Sequence, residues 1–227
     1  MDVMSNDLGM EHRPQPVWKL LQEMGVGPVG VEWSRPFGTD LRSMWAACRH
    51  GELMIGISCQ ALVPGFLTVL ATSECVSRSL PDWSGLPEEA VDGMIIVQEW
   101  LTDDADDGDI AEALGALEVA IHDYAKDKDP VCLHACQSVH ALCVSILHTV
   151  HTCPDRRRMS VASLREASEL RMALCRARGE KSDHVLKGVG LAALNEFAGV
   201  VRRYIPVEVI AMSCFYHTAM DTRIGLA

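Results

Sequence analysis

Apolar residues recur along this chain three or four positions apart, and no segment holds a period of two for long. That spacing puts them on one face of an α-helix, where i, i+3 and i+4 are neighbours. Val17 to Met24 reads as a short amphipathic helix stopped by Gly25, Gly27, Pro28 and Gly30. Leu41, Met44, Trp45 and Cys48 mark the inner face of a helix that Thr39 or Asp40 can cap, running through His50 and ended by Gly51. Further helices are expected over Glu52–Leu62, Phe66–Leu80 and Glu88–Trp100, with Pro87, Glu88 and Glu89 making a favourable first turn.

A turn over 81–87 precedes that helix, and an acidic segment follows it. The next helix is expected to reach about Tyr124, and another to span Pro130 to His151. Ser160 is placed as the cap of a helix to Arg178, ended by Gly179. Asp183 is placed as the cap of a helix to Tyr204, and Pro206 as the start of a last one that ends near Met220. The pattern predicts an all-α fold: one compact domain over 17–227 with nine or ten helices and short connections. Residues 1–16 form a loose lead-in, and Pro154 is a weak candidate for a subdivision. Leu53 to Ala71 is the longest apolar stretch, but Pro64-Gly65 divides it into two short buried helices instead of one membrane span.

Cys132, Cys136, His140 and Cys143 fall at i, i+4, i+8 and i+11, continued by Leu147 and Val150, with His134, His148, His151 and Cys153 nearby. One straight helix offers few ligands to a tetrahedral ion, and Cys packs as a small hydrophobe. The stripe therefore reads first as core. A metal-binding or redox-responsive site using Cys132, Cys136 and His140 is the alternative. No metal or cofactor is assigned.

Composition narrows the function. Aromatic residues are 5% of the chain and the formal net charge is -11, a field that repels nucleic acid and anionic membranes and attracts basic partners. The one basic run, Arg156-Arg157-Arg158, reads as a solvated turn. Nine irregularly spaced cysteines, with no basic and apolar leader at the N-terminus, fit reduced thiols in a cytoplasm.

Asp103, Asp104, Asp106, Asp107 and Asp109 crowd one short acidic segment. Aligned as an EF-hand on Gly108, it would put Ala105 and Leu114 where oxygen ligands are required, so it fails as a calcium loop. It is either a solvated loop or a docking patch for a cationic partner, which would relieve its self-repulsion. No Ser/His/Asp signature, P-loop or HExxH occurs. Cys175, beside Arg176 on a helix with other arginines nearby, is a candidate reactive thiol, and nothing else there supports catalysis. A non-catalytic role is expected, against an enzyme whose site assembles from distant residues.

Asp40-Leu-Arg-Ser-Met-Trp45-Ala-Ala-Cys-Arg-His-Gly51-Glu-Leu-Met precedes Leu67-Thr-Val-Leu-Ala-Thr-Ser-Glu74-Cys75-Val-Ser-Arg78-Ser-Leu80-Pro81. A Trp100-bearing helix, an acidic turn and an alanine-rich helix from Ile110 follow. Over about residues 40–150 this order resembles the predicted immunity proteins of bacterial polymorphic toxin systems. The segment Ala71 to Arg78 keeps part of that group's Ala-Cys-Asp-Cys-Ala-Arg flavour, while the Cys/His-rich helix departs from it. The resemblance implies a helical cytoplasmic protein that binds and neutralises a cognate toxin without chemistry, meeting a basic face with an acidic one. Exposed tryptophans at Trp33 or Trp83 would equally serve a homodimer.

Overall fold

The Cys/His-rich helix is the axis of the molecule. In the computed structural model, which describes residues 15–80, 85–149 and 154–214, it forms α8 (Pro130–Leu147). Ahead of it run α1 (Val17–Glu23), α2 (Pro28–Ser34), a 3-10 turn (Arg35–Phe37), α3 (Leu41–Ala47), α4 (Gly51–Gln60), α5 (Gly65–Ser77), α6 (Glu88–Leu101) and α7 (Asp107–Asp127). After it come α9 (Pro154–Ala177), α10 (Asp183–Tyr204) and a helical run over 207–214. Among the described residues the fold is all-helical, with slightly more helices than the spacing predicted.

Asp129 caps α8 by accepting hydrogen bonds from the amides of Val131 and Cys132 at 3.0 and 3.1 Å, and Pro130 supplies the fixed φ of a first helical residue. Its inner face holds Cys136, Val139, Leu142, Cys143 and Ile146, each at most 1% exposed. Helices α7 and α9 pack along α8 from different sides, with α6 and α5 also against it. By length and composition alone α8 is apolar enough to cross a membrane, but in this fold its apolar residues form the core. The hydroxyl of Ser163 on α9 donates to the Ser138 carbonyl at 2.8 Å, so the α8–α9 seam is bonded as well as packed.

Several local expectations fail for identifiable reasons. Gly27, Pro28 and Gly30 do not end helical structure. Pro28 starts α2, where a missing amide costs nothing, and Gly30 lets α2 close on Leu53, whose Cδ1 would stand 2.8 Å from an added Cβ. Gly51 does not end a helix through His50. Instead α3 stops at Ala47, Cys48 turns extended, and Gly51 opens α4. Ser160 is buried inside α9, which begins at Pro154, and Ser182 rather than Asp183 caps α10 by accepting from the Val185 amide. The break at Pro64 holds: it separates α4 from α5. Trp83, Val150, His151, Cys153, most of the expected lead-in and the expected helix end near Met220 lie outside the described residues.

Candidate functional site

The acidic segment is a helix start more than a loop. Asp106 is the N-cap of α7: its Oδ1 accepts from the amides of Gly108 and Asp109 at 2.7 and 3.2 Å. Asp109 Oδ2 accepts from the Asp106 amide at 2.8 Å, completing a reciprocal capping box. Asp107 Oδ1 accepts from the Trp100 indole at 3.3 Å, and Asp104 Oδ2 from the Thr102 hydroxyl at 2.7 Å. Asp103, exposed and in the left-handed region at φ 62°, has no such donor among the described residues. Local donors and the positive end of α7 are what make five neighbouring carboxylates tolerable. All five remain exposed.

They belong to a larger feature. Residues 88–127, the α6–α7 hairpin, carry thirteen carboxylates and one cation, Lys126, in a chain of net charge -11. The remainder of the chain is therefore close to neutral, and the charge is segregated. Ile95 on α6 and Val119 on α7 are exposed at 39% and 64%, adding apolar area to the same hairpin.

The Cys/His helix divides by depth. Cys136 and Cys143 are fully buried, and burial pushes both thiols up to about 12. Cys132 is half-buried and pushed up to about 11, first by burial and then by Asp129. All three thiols are held protonated at neutral pH, and Cys136 and Cys143 are also shut away from solvent. The histidines point instead to neighbouring helices: His134 Nδ1 lies 2.8 Å from Glu166 Oε2 on α9, and His140 Nε2 lies 3.6 Å from Glu118 Oε1 on α7. Among the described residues no three His, Cys, Asp or Glu side chains gather as a metal site. Cys175 is half-buried near the end of α9.

The basic run is not a solvated turn. It forms the early turns of α9, where Arg156 is 6% exposed and donates from Nη2 to the Val63 carbonyl at 3.4 Å. Arg157 Nη1 donates to the Gly25 carbonyl at 3.3 Å. Arg157 and Arg158 face a groove of about 1110 Å³ bounded by α2, the α3–α4 joint, α4 and α9. Arg49 and Arg165 complete its cationic lining, beside His50, with Glu52 the one carboxylate. Its apolar lining includes Val26, Trp33, Leu53, Ile57 and Val161.

The joint that presents Arg49 and His50 is pinned from below. Arg202 of α10 donates to the Cys48 carbonyl at 2.6 Å, and Gly51 seats against Phe197 of the same helix. The sequence gives little sign of this groove, because its cations come from residues 49, 157, 158 and 165. The glycines at 27, 30 and 56 were its nearest trace. No family model, curated protein or solved structure matches the chain.

Proposed function

We propose that this chain is a non-catalytic binding protein, specifically a cytoplasmic immunity protein that neutralises a basic bacterial toxin through the α6–α7 hairpin. The observation that carries the reading is the segregation of charge: thirteen carboxylates against one cation over residues 88–127. Such a field accelerates encounter with a cationic surface and disfavours anionic competitors. Ile95 and Val119 supply apolar area of the kind an interface desolvates. The likeness of residues 40–150 to predicted immunity proteins supports the same reading.

The first test is affinity capture from native lysate at low salt. A single basic toxin in near-equal amount, released by raised salt, is the expected result. Recovery of the protein alone from cells that contain the toxin would overturn the reading. The second test locates the surface by reversing Asp103, Asp104 and Asp107 to Lys, which leaves the Asp106–Asp109 capping box in place. A loss of about a hundredfold in affinity is expected, carried largely by the on-rate. Unchanged affinity would remove the hairpin as the binding face.

A further inference from the structure

We propose that the groove between α2, the α3–α4 joint, α4 and α9 binds a small anionic amphipath, an apolar chain carrying one carboxylate or phosphate head. The proposal concerns a face separate from the acidic hairpin and does not depend on the toxin reading.

The lining is chemically divided. Arg49, Arg157 and Arg158 reach the groove without a carboxylate partner among the described residues. Arg157 spends one nitrogen on the Gly25 carbonyl. Arg165 is the one guanidinium with a carboxylate in reach, Glu52, at 3.5 Å. Unpaired guanidiniums facing one concavity, in a chain of net charge -11, are a site for an anion and not a sample of the average surface. Glu52, the one carboxylate of the lining, is itself partly withdrawn from solvent. Burial raises the Glu52 carboxyl above its ordinary value of 4.5 even with Arg165 beside it.

The rest of the wall suits an apolar body. Trp33, Leu53, Ile57 and Val161 line it, and its floor includes Gly56, where an added Cβ would stand 3.6 Å from Val161 Cγ2 in ordinary contact. The volume of about 1110 Å³ is just above the roughly 300–1,000 Å³ usual for small-ligand sites. Apolar walls with a few convergent cations match one anionic head on an apolar chain better than a polyanion, which would need cations along its whole length.

The experiment titrates the full chain with cis-parinaric acid, a fluorescent long-chain carboxylate, and in parallel with lysophosphatidic acid. Saturable binding of either at about one per chain is expected, with energy transfer from Trp33 that Trp33→Phe diminishes. The neutral methyl ester of parinaric acid should bind about tenfold more weakly. Arg49→Ala combined with Arg158→Ala, both exposed positions, should weaken the acid by a similar factor with helicity unchanged. Gly56→Leu should block the floor, whereas Gly56→Ala should not.

Absence of saturable binding by both probes would overturn the proposal. So would equal affinity for acid and ester, or indifference to the double arginine variant. Displacement of the probe by an acidic peptide of tighter affinity would replace the proposal with a peptide groove. Reversal of Asp103, Asp104 and Asp107 should leave probe binding unchanged, so failure here is distinct from failure of the toxin reading.

Discussion

Gly51 lies so close to Phe197 that a methyl group on it would stand 2.5 Å from the Phe197 Cβ and 3.1 Å from the Ala198 amide nitrogen. The first residue of α4 thus rests directly on α10. With Arg202 holding the Cys48 carbonyl, this contact sets the angle of the α3–α4 joint and the placement of Arg49 and His50. Phe197 is itself fully buried under the Arg171 guanidinium, 5.4 Å above its ring.

Gly51→Ala is therefore expected to destabilise the protein by about 1–3 kcal/mol, because neither Phe197 nor the α10 backbone has room to yield. Gly56→Ala, whose added atom meets only ordinary contacts, is expected to be neutral or slightly stabilising through helix propensity. Urea denaturation midpoints for both variants separate the two effects. A Gly51→Ala midpoint equal to wild type would remove the close approach as a constraint.

This pair also shows where reading the chain alone stops. A glycine after Arg49-His50 looks like a helix end, since helices commonly end at glycine. Only the position of Phe197, 146 residues later, makes Gly51 a helix start. The same holds at Pro28, where a stop signal and a first helical residue look alike until α2 is seen against Leu53.

The capping box gives a prediction that distinguishes neighbouring aspartates. Asp106→Ala removes the acceptor for the Gly108 and Asp109 amides and should cost about 1 kcal/mol. Asp103→Asn should cost nothing, since asparagine tolerates the left-handed backbone at φ 62°. Thermal unfolding followed by circular dichroism reads both. Equal losses at the two positions would mean that the acidic segment acts through total charge and not through its cap.

Two carboxylates make opposite demands on pH. Arg171 hydrogen-bonds to Glu196 at 2.7 Å and, with Arg78 nearby, holds its carboxyl below the ordinary 4.5. The ionised form thus stabilises the fold above the unfolded value, and that contribution fades as pH falls through the folded value. Glu52 is raised by burial, so its charge costs stability at neutral pH and protonation on acidification relieves the cost. Glu196→Gln should lower stability at about pH 7 and flatten the loss toward about pH 3, whereas Glu52→Gln should not lower it at about pH 7. Denaturant melts across that range check the sign. A steeper acid loss in Glu196→Gln would contradict the assignment.

Thiol labelling tests the depth of the Cys/His helix. In a Cys153→Ser background, Cys132 and Cys175, the half-buried thiols, should react with an aromatic disulfide first. Cys48, Cys59, Cys75, Cys136, Cys143 and Cys214, all buried, should react only on unfolding. Mass spectrometry of the labelled peptides at early times identifies the order. Rapid native-state modification of Cys136 or Cys143 would reopen the redox reading of this helix.

What the sequence determined by itself is what local chemistry specifies. Periodicity places α5, α6, α8 and α10 within a few residues of their positions, because each buries one face of regular spacing. The division at Pro64 and the end of α9 at Gly179, with φ 100°, follow from the backbone preferences of proline and glycine. The burial of Cys136 and Cys143 follows from their place on one apolar stripe.

Other features depend on residues far apart in the chain. The Arg156–Arg158 run reads as surface by composition, yet α9 folds back along α8 and carries it to the Gly25 and Val63 carbonyls. The groove exists because α2, the α3–α4 joint and α9 meet at distances that no window of sequence encodes. Local rules constrain each helix, but the spaces between helices are set by how they pack.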